Sequence, residues 1–150
     1  MFHMKQSAIS SQNIDKSMTL QVGVKIFLQN KEGAFLLLKR NTVLYPNIKN
    51  IWDIPGGRII PGSDLLKNLQ REVTEETKLK IIGTPKLIFA QDILRPEKHI
   101  VRLTFIGKCK GKVSLNAEHD EYKWLTFKEM LHVKRLDEFT REVIRKLSLA

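Results

Sequence analysis

Cysteine is almost missing from this chain: Cys109 is the single one in 150 residues. One thiol excludes an intrachain disulfide and suits a reducing compartment. No apolar run approaches the ~20 residues needed to span a bilayer. Met1 to Ser17 is polar and lacks the apolar core of a secretion signal, so it reads as a flexible N-terminal tail, with residues 18–150 as a single domain. The expected location is the cytoplasm, with no membrane as partner. Runs of basic residues are also missing. Lys and Arg outnumber Asp and Glu by 26 to 16, giving a net charge of +10, yet no basic run exceeds two residues. Nucleic acid is therefore not the expected partner, because its footprint is a clustered basic face. Lys108, Lys110 and Lys112 alternate, which reads first as a solvated strand edge that discourages pairing. The scattered positive field suits a small polyphosphate substrate.

A hydrophobic content of 42% excludes a disordered chain and is enough for a core in one domain. Leu20, Val22, Val24, Ile26 and Leu28 alternate with Gln21, Gly23 and Lys25, the pattern of a half-buried strand. Asn30 to Gly33 reads as a hairpin turn, and Ala34 to Leu38 as the returning strand, closed by Lys39 and Arg40. Asn41 to Asn50 is a loop. Ile51 to Ile54 makes a short strand stopped by Pro55, and Gly56-Gly57 permits tight turning and close backbone approach to a ligand. Further strands are expected at Leu87 to Leu94, Ile100 to Gly107, Val113 to Leu115 and Tyr122 to Leu125. Thr126 to Glu129 forms a capping box that opens a short helix, and Phe139, Val143, Ile144 and Leu147 form the stripe of a last helix. Hairpins with one central and one terminal helix give an α/β or α+β sandwich with a mixed sheet.

The central helix, Leu65 to about Thr77, is the anomalous segment. Taking ~100° per residue from Leu65, Leu69 falls near ~40° and Val73 near ~80° on one apolar stripe. Glu76 falls near ~20°, inside that stripe, and Glu72 near ~340°, on its border. Lys67, Arg71 and Lys78 occupy the opposite side, as solvated charges should. Three acids in five residues, Glu72, Glu75 and Glu76, repel one another and oppose the helix dipole unless a cation sits among them. Carboxylate ligands without His or Cys in the segment point to magnesium, manganese or calcium rather than zinc.

At these residues the chain resembles the Nudix hydrolases. Their signature runs glycine, five residues, glutamate, seven residues, then Arg-Glu-apolar-any-Glu-Glu-any-Gly-apolar. Here Gly57, Arg71-Glu72-Val73, Glu75-Glu76 and Leu79 are in register, with Trp52-Asp53-Ile54-Pro55-Gly56 ahead of them. Ser63 stands where the family has glutamate, and Lys78 where it has glycine. The resemblance implies a Nudix-like α/β/α sandwich with a mixed β-sheet. It also implies Mg2+-dependent hydrolysis of a nucleoside diphosphate linked to another moiety, with Mn2+ as substitute. A nucleoside triphosphate, ordinary or oxidised, is the first expectation, cut to the monophosphate and pyrophosphate. ADP-ribose or a nucleotide sugar comes second, and a catalytically silent ligand-binding module is the rival from another class. A homodimer is compatible with this reading.

Similarity to the family assigns roles residue by residue. Glu72, Glu75 and Glu76 become metal ligands or their close partners, with the Gly56 carbonyl as a further ligand and Arg71 orienting the glutamates. Glu118 corresponds to the acidic ligand or base that many members take from outside the signature, and Glu121 could substitute for it. Arg40 and Arg58 flank the expected cleft and could meet phosphates, while Asp137 lies where some relatives read the base edge. His119 reads as an idle loop histidine. Trp52, Trp124 and Cys109 read as core, and Tyr45 or Phe27 as side chains that could stack on a base. Serine at position 63 lacks the charge that supports the arginine in the family, and Asp64, one residue on, is the candidate stand-in.

Overall fold

A computed structural model describes residues 17–150. The tail expected at residues 1–17 thus lies, Ser17 apart, outside the described residues. Seven strands form one mixed sheet: β1 (Thr19–Gln29), β2 (Phe35–Arg40), β3 (Trp52–Asp53), β4 (Gly56–Arg58), β5 (Lys80–Leu94), β6 (Lys98–Lys110) and β7 (His119–Leu125). Among the described residues three helices accompany them: α1 (Leu65–Thr77), α2 (Phe127–Met130) and α3 (Glu138–Lys146).

The alternating strand at the start of the chain becomes the spine. β1 runs parallel to β6 from Thr19 opposite Lys98 to Gln29 opposite Lys108, and β6 pairs antiparallel with β5. Along its other edge β1 meets β2 only at Gln29 and Phe35, beside the turn, and takes β4 as partner from Gly23 to Lys25. The hairpin therefore splays open, and β4 fills the gap with Gly56 and Gly57 against the middle of β1. On the far side β2 carries β3 and β7.

Side-chain alternation distributes the two cores. Val24, Ile26 and Leu28 of β1 join Leu36 and Leu38 of β2 on the face covered by Leu69 and Val73 of α1. Phe27, Phe35 and Leu37 turn to the other face, where Trp52, Ile54, Met130, Val143 and Ile144 close over them. The sheet is thus sandwiched between α1 and the C-terminal helices, the α/β/α layering expected. Phe27 is fully buried and packs edge-on against Phe35 and Phe127, so it is a core ring and not a base-stacking one.

Several boundaries differ from expectation. Val113 to Leu115 is irregular chain rather than a strand, because its apolar side chains pack onto the α1-side core without a ladder partner. Gly56 to Arg58 forms a short strand rather than a plain turn, and β5 and β7 begin at Lys80 and His119, ahead of the expected Leu87 and Tyr122. Leu147 ends up as the C-cap of α3 and is exposed. Among the described residues, no helix is long and apolar enough to cross a membrane.

Candidate metal and phosphate site

Asp64 fixes where α1 begins, its carboxylate accepting from Leu66 N–H at 3.0 Å and Lys67 N–H at 3.3 Å. Its position as N-cap leaves Ser63 in the preceding bend. From there the stripe Leu69, Val73, Glu76 follows helical spacing into the interior, and Glu76 is only 5% exposed. Its Oε1 accepts the Gly56 N–H at 2.9 Å, tying the helix to β4. Thr77 locks the exit by donating its hydroxyl to Val73 O at 2.6 Å and accepting Leu79 N–H at 3.1 Å. Lys78 then adopts φ 63°, the left-handed cap for which glycine is the favoured residue.

Glu72 reaches the same glycine strand. A Cβ on Gly57 would lie 2.6 Å from Glu72 Oε2, so a side chain there would displace this carboxylate from its place against the strand. Arg71 clamps the pair around it, donating to Glu72 at 2.9 Å and to both oxygens of Glu75 at 2.9 and 3.1 Å. Asn68, 1% exposed, completes the clamp: its Oδ1 accepts Arg71 Nη2 at 3.2 Å and Ile60 N–H at 2.9 Å, while its Nδ2 donates to Arg58 O. Arg71 Nε is buried with no acceptor among the described residues. Ser63, in place of the family's glutamate, brings no carboxylate to it.

This cluster is short of positive charge. Burial pushes the Glu76 carboxyl up to about 7, with Lys25 and the Gly56 N–H opposing and Glu72 and Glu118 adding to the rise. Burial also raises Glu72, against the pull of Arg71. Glu118 enters from the turn before β7, where Asn41 N–H donates to its carbonyl at 2.8 Å and Asn41 Nδ2 to Ala117 O at 3.3 Å. The β2–β7 ladder slips here: Lys39 faces Glu121 but Arg40 faces His119, so Asp120 is the extra residue of a bulge. Asp120 turns out to Lys39 at 2.9 Å, and His119 turns inward. The placement of His119 in an exposed loop is thereby corrected: it is a buried residue at the start of β7. Burial, then Arg40 and Lys25, hold its imidazole down at about 4.

On the other side of Gly56 and Gly57 lies a cleft of about 260 Å³, walled also by Lys25, Arg40, Asp53, Arg58, Arg102 and Asp137. Four of these residues form an ion-pair knot. Arg102 reaches Asp53 at 3.3 Å and Asp137 at 3.2 Å, Lys25 reaches Asp53 at 3.2 Å, and the Thr140 hydroxyl donates to Asp53. Burial alone would raise Asp53, but Arg102 and then Lys25 hold its carboxyl far below the usual carboxylate range. Asp137 also N-caps α3, accepting Phe139 and Thr140 N–H at 2.9 Å each. Arg40 and Arg58, in contrast, meet no carboxylate among the ion pairs of the described residues. Arg40 lies over the Tyr45 ring at 4.7 Å, and burial, then Arg102 and Arg40, lower the pKa of Arg58.

The residues singled out in the sequence thus fall into two neighbouring groups. Glu72, Glu75, Glu76, Arg71 and Glu118 gather on the helix side of Gly56, and Arg40, Arg58 and Asp137 line the cleft. Asp137 differs from a free base reader in that its Oδ2 already holds three donors. Asp64 caps the helix and makes no contact with Arg71 among its hydrogen bonds. Sequence reasoning passed over Asn68, Lys25 and Arg102. Their signal was available in part, since Asn68 precedes the apolar Leu69 and Arg102 sits at an inward position between Ile100 and Thr104 of β6.

A mixed sheet between helices, with one long helix carrying clustered carboxylates onto a glycine strand beside a cationic cleft, defines the class of protein. The NUDIX domain family matches residues 19–147, and the chain belongs to that family. Its fold is close to that of the MutT protein from Methanosarcina mazei Go1, with a TM-score of 0.76 and 27% identity over 89% of this chain and 96% of that one. Among curated relatives it is 29% identical to an RNA pyrophosphohydrolase of Pelagibacter ubique over 72% of this chain and 61% of that protein. It is 34% identical to an 8-oxo-dGTP diphosphatase of Buchnera aphidicola over 59% of this chain and 68% of that protein. The chain thus spans less than two thirds of the Pelagibacter relative, and only 38% of Nudix hydrolase 5 of Arabidopsis thaliana, with which it shares 34% identity.

Proposed function

We propose that this protein hydrolyses a phosphoanhydride bond of a nucleoside triphosphate, ordinary or oxidised, releasing the monophosphate and pyrophosphate with the help of a divalent cation, magnesium in the first instance. The observation that carries the reading is the charge arrangement about Gly56 and Gly57. Four carboxylates with Arg71 as their one clamping cation lie on one side, and Arg40 and Arg58, without carboxylate partners, lie on the other. The donor set fits a hard cation: all-oxygen side chains on a rigid helix, with Gly57 kept bare so that Glu72 can lie against the backbone. Glu72, Glu75, Glu76 and Glu118 would hold one or more ions, together with the Gly56 carbonyl. A bound divalent cation supplies charge neutralisation at the phosphoryl oxygens and lowers the pKa of water.

The chain's own groups do the rest. Arg40 and Arg58 bind and orient the phosphates from the cleft side. Arg71 keeps Glu72 and Glu75 from swinging apart, and Asn68 holds Arg71. A helix carboxylate accepts the proton of the attacking water. A cytoplasmic location is part of this reading, as the free thiol of Cys109 fits a reducing compartment.

The test is a substrate panel: nucleoside triphosphates, 8-oxo-dGTP, ADP-ribose, a nucleotide sugar and 5′-triphosphate RNA, each with magnesium, following phosphate and pyrophosphate release. Pyrophosphate from free triphosphates is expected. Turnover of the RNA end alone would move the substrate to a polymer. No turnover of any member, with nucleotide still bound, would establish the silent module instead.

A further inference from the structure

We propose that His119 completes, with Glu76 and Glu118, a mixed nitrogen–oxygen position for a divalent cation, and that this position takes manganese in preference to magnesium. The inference rests on the carboxylate cluster being a metal site, and it adds a ligand of a different chemical kind. Donor atoms of Glu76, Glu118 and His119 all lie within 4.8 Å of one another. Donors sharing one octahedral ion at ~2.1 Å stand about 3–4.2 Å apart, so little contraction closes the set.

Three further observations point the same way. His119 is 8% exposed, and its Nδ1 is buried with no hydrogen-bond partner. Buried polar atoms are nearly always partnered, and an imidazole with an orphan nitrogen, packed near two carboxylates, suits a cation or water as partner. Glu76 uses Oε1 on Gly56 N–H, which leaves Oε2 available. The geometry is also held in place: the Asp120 bulge turns the ring inward, and Asn41 pins the turn through Ala117 O and Glu118 O. Lys25, the cation acting on Glu76, is tethered to Asp53 at 3.2 Å and to Ile54 O at 3.1 Å.

A nitrogen donor changes the selection among ions. Magnesium demands oxygen ligands and gives up water reluctantly, whereas imidazole suits the transition metals, for which nitrogen sites bind more tightly along the first row. The all-oxygen carboxylates Glu72 and Glu75 remain suited to magnesium, so the two positions would differ in preference.

Pulsed electron paramagnetic resonance of Mn2+ titrated into the full-length protein tests this directly. Nitrogen modulation from a coordinated imidazole is expected, shifting when histidine is 15N-labelled. His119→Gln, checked for folding by its melting curve, should lose that modulation and weaken Mn2+ binding by about tenfold or more, while Mg2+ affinity changes by a smaller factor. Bound Mn2+ without nitrogen modulation in the native protein would overturn the role of His119 and leave the carboxylate site standing. No Mn2+ binding at all, with or without nucleotide, would overturn both. The native spectrum decides the matter even if the variant does not fold.

Discussion

Two groups of acids lie on opposite sides of Gly56 and Gly57, one of them reaching the interior through Glu76, and their charge balances are opposite. In the knot, Asp53 and Asp137 are matched by Arg102 and Lys25, and Asp53 is held ionised. In the helix cluster, Arg71 pairs with Glu72 and Glu75 alone, Glu76 and Glu118 make no ion pair among the described residues, and burial drives Glu76 up to about 7. The knot is complete within the protein, while the cluster is not. A carboxylate's burial therefore says little by itself; the local balance of charge separates an acid that holds the fold from one that waits for a ligand.

The sharpest way to break this contrast is through catalysis. Glu76→Gln should cut hydrolysis by roughly 10²–10⁴-fold, the range for a positioned acid–base or ligand group, with the fold retained. Wild-type turnover by Glu76→Gln, on a substrate the native protein cleaves, would remove the cluster from the active site. Stability should respond in the other region. Arg102→Ala leaves two carboxylates facing each other in the interior, a change that costs about 3–5 kcal/mol, readable as a lowered denaturant midpoint. A loss below about 1 kcal/mol would show that the knot is solvated rather than structural.

Proton linkage separates the groups within the cluster. Glu76 rises from 4.5 to about 7 on folding, so the native state holds its proton more tightly. Its stabilisation is full below pH 4.5 and is lost as pH climbs through 7. His119 falls from 6.5 to about 4, so the unfolded state binds the proton, and stability is gained as pH climbs from 4 to 6.5. In metal-free protein the two trends oppose each other over most of that window, and a flat curve is expected. Glu76→Gln should uncover a rise with pH and His119→Gln a fall, each by roughly 3 kcal/mol across its window. Denaturant midpoints in chelator from pH 4 to 8 measure this; parallel curves for both variants would contradict the opposed assignments.

Smaller effects concern the clamp. Asn68→Ala strands Ile60 N–H and loosens Arg71, so a loss of about 1–3 kcal/mol is expected, with kcat reduced and KM little changed. A fall in melting temperature with kcat untouched would make Asn68 merely structural. Smallest is Ser63→Glu, offering a charged acceptor to the buried, unpartnered Arg71 Nε. Turnover should rise by about two- to fivefold at most, since the gain requires good geometry. Loss of metal binding in a folded Ser63→Glu protein would mean that the site is built differently from the family pattern.

Much of this arrangement was legible in the sequence because α1 speaks in a single period. Glu76 and Glu72 betray themselves by falling among Leu69 and Val73, and Asp64 and the Thr126 box mark helix starts by local chemistry. The first core face of β1 was equally open in its alternation, but the strand is buried on both faces and Phe27, read as a stacking ring, belongs to the second core. What was hidden depends on pairing across the chain. His119 looked like a loop residue because a bulge at Asp120 cannot be seen without its partner strand. Arg102 drew no attention because its partners Asp53 and Asp137 lie 49 and 35 residues away. Val113 to Leu115 has strand-like composition but finds no edge to join.

Those separations carry a consequence for how the molecule assembles. The contact between Gly56 and Glu76 closes a segment of 20 residues, whereas Thr140 meets Asp53 across 87. Short loops close at lower entropic cost and form earlier than long ones. The acidic helix can settle on its glycine strand while the C-terminal helix is still undocked, and the ion-pair knot closes only when that helix arrives. The acidic helix on its glycine strand is therefore a local structure expected to form early, while Glu118 joins it through a longer closure and the cleft gains its last wall from the C-terminal helix.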